Sequence, residues 1–187
     1  MKRATHIAIL VLLAGTITSC EKIKSWFDVE GDSTLSTNLD IVVSEPAMKS
    51  TASIPFHDEA PIDPLSDYDI AEYQENIKKI EATNIVATVT GVSGKKEGAD
   101  VIFYKGTYFA VKGSKEAKWI LDEDWNVTVG DEITLKDDVG AVNYSKITEM
   151  LTNLEAVTVI ADGTCNQSGV FVSLEVGIDI KYTANPL

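Results

Sequence analysis

Apolar and polar residues alternate most regularly near the end of the chain. Val170, Val172, Leu174, Val176, Ile178, Ile180 and Tyr182 are apolar, and Ser173, Glu175, Asp179 and Lys181 stand between them. That is the period of a strand with one face in a core, so the pattern predicts a long, centrally paired strand there. Leu35, Leu39, Ile41 and Val43 alternate in the same way with Ser36, Asn38, Asp40 and Val42, and Pro46 ends that run. Ile85 to Val92 also reads as a strand. Two hairpins are expected, one around Lys105-Gly106 between Val101–Tyr104 and Thr107–Val111, the other around Gly130-Asp131 between Trp125–Val129 and Glu132–Leu135. Pro46 to Asp67, punctuated by Pro55, Pro61 and Pro64, reads as a crossover loop, because proline denies the backbone a donor.

Helical spacing is expected twice. Ser66 caps a first helix with Asp67 and Asp69 in its first turn, Ile70, Tyr73, Ile77 and Ile80 on its apolar face, and Lys78 and Lys79 at its end. Asn143 caps a second, whose apolar face is Tyr144, Ile147, Met150, Leu151 and Leu154. Four of these positions lie 74 residues after their counterparts in the first helix, and Ile80-Glu81-Ala82 is answered by Leu154-Glu155-Ala156. This suggests a weak internal repeat of a helix running into a strand. About seven or eight strands with two short capping helices predict a mainly β protein, an antiparallel β-sandwich of Ig-like or Greek-key type. A small β-barrel is the alternative.

The start of the chain has another organisation. Lys2 and Arg3 precede an apolar run from Ile7 to Ala14 that is too short to span a bilayer, and Ile17-Thr18-Ser19-Cys20 follows. The order resembles a bacterial lipobox signal. That resemblance implies that the cysteine sulfur takes a diacylglycerol and that cleavage leaves Cys20 as the first mature residue. The chain so divides into a signal peptide (1–19), a lipidated tether (20–31) and a single β-sandwich domain (32–187). No second apolar stretch approaches a spanning length.

Charge sharpens this picture. The net charge of −13 becomes −15 when Lys2 and Arg3 leave with the signal, which carries no acid. Such a surface repels nucleic acid and anionic headgroups, so no nucleic-acid partner is expected and attachment must come from lipid on Cys20. Two histidines and two cysteines stand in the whole chain, of which His57 and Cys165 remain unmodified after processing. A zinc site and an internal disulfide are both excluded by that scarcity. Cys165 reads as a structural thiol.

Candidate chemistry is thin. His57 stands beside Asp58, but neighbours in sequence seldom form a triad, and no Gly-x-Ser-x-Gly elbow occurs. Gly91-Val92-Ser93-Gly94-Lys95 lacks the spacing and hydroxyl of a phosphate loop. Asp122, Asp124 and Asn126 begin like a calcium loop, yet Val127 stands where the loop needs glycine and Ile133 where it needs a bidentate glutamate. A looser calcium site drawing on Asp131, Asp137 or Asp138 stays open. No cofactor is expected. Asp32-Ser33-Thr34 resembles the O-glycosylation signal of Bacteroidota, which would place glycan on Ser33, away from the sheet.

As a whole the chain resembles small lipoproteins of Bacteroidota, which pair a short lipobox signal with a sandwich. The resemblance implies a lipid anchor in the cell outer membrane, on its periplasmic or its outer face. The expected function is a non-enzymatic module that binds or scaffolds an envelope protein or glycan. The alternative is a glycan hydrolase using paired carboxylates, which would need two of them facing each other across a cleft.

Overall fold

The computed structural model describes residues 28–44, 53–137 and 142–185. Ten strands run in chain order as β1 (Val29–Val43), β2 (Ile54–Ile62), β3 (Ile77–Ser93), β4 (Ile102–Phe103), β5 (Tyr108–Lys112), β6 (Glu116–Ile120), β7 (Trp125–Asn126), β8 (Glu132–Thr134), β9 (Val157–Cys165) and β10 (Val170–Ala184). A helix α1 (Tyr68–Glu72) lies between β2 and β3, and α2 (Val142–Thr152) between β8 and β9. The first sheet is ordered β1-β10-β3-β8. In the second, β9 lies between β2 on one side and β4 and β5 on the other, with β7 and β6 beyond them.

Both sheets are antiparallel and separate, so the protein is a β-sandwich and not a barrel. β4 with β5, and β6 with β7, each act as one interrupted strand. Phe103 pairs with Trp125 and Tyr108 with Ile120, while the residues between swing out from both strands at one level. Counted so, each sheet has four strands, and their order is that of a double Greek-key jelly roll.

This corrects both hairpins. Lys105-Gly106 does not reverse the chain, because β4 and β5 follow each other along the same edge of β9. The excursion is stabilised locally: Gly106 takes a φ of 93°, its N–H donates to the Leu121 carbonyl, and the Lys105 N–H donates to Asp124 Oδ1 at 2.8 Å. Gly130-Asp131 carries the chain from β7 in one sheet to β8 in the other, and its two ends bond to Val89 of β3. The reversal that does occur lies between β5 and β6, where Gly113 N–H meets the Lys115 carbonyl.

The expected crossover loop contains a strand. β2 pairs with β9 over its whole length, and Pro55 and Pro61 are accommodated because β2 is an edge, where a missing donor faces no partner. The first helix is also shorter than its spacing predicts. It covers five residues, Asp67 rather than Ser66 caps it by accepting the Ile70 N–H at 3.0 Å, and Ile77 and Ile80 already belong to β3. The two members of the supposed repeat therefore differ in structure, since Leu151 lies on α2 and its counterpart Ile77 on a strand. β1 starts at Val29, opposite Ala184, so the sheet takes in Val29, Glu30 and Gly31 from the stretch assigned to the tether.

The core fills the space between the sheets. Leu39, Leu174 and Val89 form one buried rung of the first sheet, and Phe56, Phe103 and Phe109 project from the second. Phe56 packs on Phe103 at 4.4 Å between ring centroids, and Trp125 meets Phe103 edge-on at 5.8 Å.

α2 closes one side of the sandwich through its buried Ile147, Met150 and Leu151. β8 pairs with β3 only over Val86–Thr88, so the earlier part of β3, paired with β10 on one side, has no described strand on the other. The helix substitutes for one. Thr152 Oγ1 both accepts the Ile80 N–H at 3.0 Å and donates to the Ile80 carbonyl at 2.9 Å, and Thr148 Oγ1 accepts the Ala82 N–H at 3.1 Å. Residues four apart share a helix face, which is why two threonines reach two successive rungs. Thr152→Val should cost about 1 to 3 kcal/mol by leaving both Ile80 groups unpaired, while Thr152→Ser should cost far less. Chemical denaturation of the two variants checks this.

Candidate functional site

Cys20 lies outside the described residues. So does Asp138.

The outer face of the second sheet gathers the histidine and its partners. β2, β9, β5 and β6 place His57, Asp162, Tyr108 and Ile120 on one rung. His57 Nδ1 lies 3.0 Å from Asp162 Oδ2, and its Nε2 lies 3.9 Å from Glu59 Oε2. The histidine therefore pairs with an aspartate 105 residues away and not with Asp58, whose carboxylate accepts the Asp40 N–H at 2.6 Å. Strand alternation explains this: His57 points outward, and Asp58, next to it, points the other way. Beside the pair, Lys118 Nζ stands 3.4 Å from the centroid of the Tyr108 ring, a cation–π contact. Desolvation holds the Tyr108 phenol above its usual range, and the negative charges of Asp162 and Glu116 add to the effect. This open face sets an imidazole, carboxylates, an ammonium and a phenol ring side by side.

The calcium candidates are employed elsewhere. Asp124 holds the Lys105 N–H, and Asn126 pairs in β7 with Ile102. Asp122 is exposed at the end of a cleft. Asp131 Oδ2 accepts the Thr128 N–H at 3.1 Å and Asp137 Oδ2 accepts the Tyr144 N–H at 2.9 Å. Among the described residues no three His, Cys, Asp or Glu side chains are grouped so as to share a metal ion.

Cys165 is fully buried at the end of β9, opposite Ile54 and Phe103. Burial pushes its thiol up, against the pull of backbone hydrogen bonds from Gln167, Asn166 and Ile102. That is an unreactive setting. Ser33 is not away from the sheet: it sits in β1 opposite Ile180, half-buried, and its hydroxyl donates to Asp67 Oδ2 at 2.5 Å. A glycan on that oxygen would have to displace the cap of α1.

A cleft of about 560 Å³ opens at the β6 edge of the second sheet. Lys118–Asp122 form one wall and Ile133–Asp137 the other, with Val142 and Asn143 at one end. Sequence reasoning had no signal for it, because its walls are edges of two different sheets brought together by the Greek-key path. Asn143, expected as a helix cap, lies inside α2 and bonds the edge of β6 instead, its amide meeting both the N–H and the carbonyl of Lys118 at 3.3 and 2.9 Å.

No family model matches the chain, and no curated protein matches it. Among solved structures it is similar to the BFDV capsid protein in its decameric form, at 8% identity and a TM-score of 0.50, over 82% of this chain and 99% of that one. The 60-mer form of the same capsid protein gives 9% identity and a TM-score of 0.41, over 85% and 96%. Turnip yellow mosaic virus gives 6% identity and a TM-score of 0.28, over 85% and 96%. At this identity the first likeness speaks to the sandwich fold alone.

Proposed function

We propose that this chain is a lipoprotein anchored in the bacterial outer membrane by lipid on Cys20, whose sandwich binds or scaffolds an envelope protein or glycan without catalysing a reaction. The observation that carries it is the order Lys2-Arg3, apolar run, Ile17-Thr18-Ser19-Cys20, followed nine residues later by the first strand at Val29. Nine extended residues reach about 30 Å at most, so such an anchor keeps the sandwich near the bilayer. Its net negative charge disfavours lying on anionic headgroups. The non-catalytic half draws on how the acids are used. Asp58, Asp63, Asp67, Asp124, Asp131 and Asp137 each accept a backbone N–H, the work of caps and turns.

A carboxylate-dependent glycan hydrolase is the alternative. It would draw on Asp122 and Asp137, which both line the cleft. Such an enzyme needs one carboxyl held protonated by a dry surrounding, whereas Asp122 is exposed and Asp137 is engaged with α2.

Cys20→Ser should abolish lipid attachment and release the protein from membranes. Metabolic labelling with a fatty acid reads this directly. Undiminished label on the variant, or an unlabelled wild-type protein, would refute the anchor.

A further inference from the structure

Exposed sheet edges attract strands of other chains, and folded proteins cover them. Among the described residues, this protein covers parts of its edges with prolines and side chains. β2 carries Pro55 and Pro61. The open part of β3 is bonded by Thr148 and Thr152. On β6, alternate residues face outward: Leu121 N–H bonds the Thr107 carbonyl of the neighbouring strand, so Glu116, Lys118 and Ile120 present their backbone groups to the edge. Lys146 Nζ donates to the Glu116 carbonyl at 2.8 Å and Asn143 takes both groups of Lys118. The covering stops there. Ile120 has no strand on its outer side, and its side chain is 63% exposed.

On the opposite wall, Leu135 N–H bonds the Ile85 carbonyl, so Thr134 of β8 faces away from β3, and its carbonyl accepts the Lys136 N–H at 3.1 Å. β6 and β8 belong to opposite sheets. A strand laid along the β6 edge at the ordinary spacing of about 4.8 Å would hydrogen-bond Ile120 in the plane of its sheet and lie beside the β8 wall. The buried Trp119, which lines this cleft, has an indole N–H without an acceptor among the described residues.

Charge selects what the strand carries. In an acidic molecule, Lys118 and Lys136 line the cleft, and neither is in an ion pair with a described residue, while Lys118 Nζ also rests on the Tyr108 ring. Lys118 stands at the helix end, beside Asn143. Of the two acids there, Asp137 is held by Tyr144, and Asp122 stands at the far end of the β6 wall. We propose that this cleft receives an extended segment of a partner protein, about as long as the Lys118–Asp122 wall, with a carboxylate side chain toward the helix end.

The inference rests on the binding reading above and names the form of its partner. The probe is acetyl-Glu-Val-Thr-Val-Thr-amide, titrated into the isotope-labelled full chain, held in detergent micelles. Saturable shifts are expected at the Ile120 and Thr134 amides and the Trp119 indole N–H, and none at Phe171 on the opposite sheet. Lys in place of Glu in the peptide, or Ile120→Pro in the protein, should weaken binding at least about tenfold. Ile120→Pro removes the outward donor without removing a ladder bond to β5, and Lys136→Glu serves if that variant does not fold. No saturable shift at the cleft, equal binding of both peptides, or shifts at Ile120 on simple dilution, which would make a second copy the occupant, would each overturn the proposal. Failure here leaves the anchor standing, since labelling of Cys20 reads it independently.

Discussion

Leu174→Ala is expected to cost about 2 to 5 kcal/mol, while Glu175→Ala, one residue on, stays within about 0.5 kcal/mol. Leu174 sits at the middle of β10 with Leu39 on one side and Val89 on the other, all three essentially inaccessible. Truncation removes the transfer energy of the lost methyl groups and leaves a cavity. That cavity closes poorly, because the flanking residues are fixed by the ladders of β1 and β3. Glu175 pairs with Asn38 and Thr88 on the outer face and is exposed. A loss of this size is a large share of a domain's total stability. Denaturant unfolding of both variants measures the contrast, and equal losses would mean that β10 is not buried on one face only.

The legible part of the fold was the part with an unbroken period. β10 and most of β1 alternate strictly, so the buried face of each, and the central pairing of β10, followed from hydrophobicity. β3 did not, and the reason is a bulge. Its inward residues are Ile80 and Ala82, then Ile85, Ala87 and Val89, with the parity changing where the register against Asp179 and Ile180 slips. A second irregularity lies between Ile77 and Ile80, opposite Thr183 and Ala184. An extra residue in a strand spaces inward positions by three, which is also a helical spacing. Ile77 and Ile80 were therefore drawn into a helix that ends at Glu72.

Turn chemistry misled in a related way. Lys105-Gly106 and Gly130-Asp131 have the residues of a tight turn, and both glycines do take positive φ. Yet a local bend does not say which strand comes next. That depends on which sheet has an open edge, a matter of long-range pairing that local residues do not encode. The candidate site was illegible for the same reason. Asp162 meets His57 only because β2 and β9 are neighbours, and the uncovered edge at Ile120 is defined by where Asn143 and Lys146 of α2 reach.

Gly94→Ala should be among the most damaging single changes in the chain, at about 3 to 5 kcal/mol, whereas Gly98→Ala in the same loop should cost only about 1 to 2 kcal/mol. Both glycines have a left-handed backbone, with φ of 73° and 71°, so both substitutions incur the clash of an L side chain with its own carbonyl. They differ in what a methyl group would meet. At Gly98 nothing lies within 4 Å, while at Gly94 the new carbon would stand 2.1 Å from the carbonyl oxygen of Gly169. That oxygen cannot retreat freely. Gly169 N–H is bonded to the Val43 carbonyl at 2.7 Å, and Val170 beside it is paired with Val43 at the start of β10. Relief would have to pull the start of β10 from β1 or the end of β3 from β10, where Ser93 pairs with Phe171. Comparing the two alanine variants by denaturant unfolding separates the backbone cost, common to both, from the collision, which belongs to Gly94 alone. Matching losses would show that the turn before β10 yields easily, and that the close approach of Gly94 to Gly169 is not what fixes this end of the sandwich.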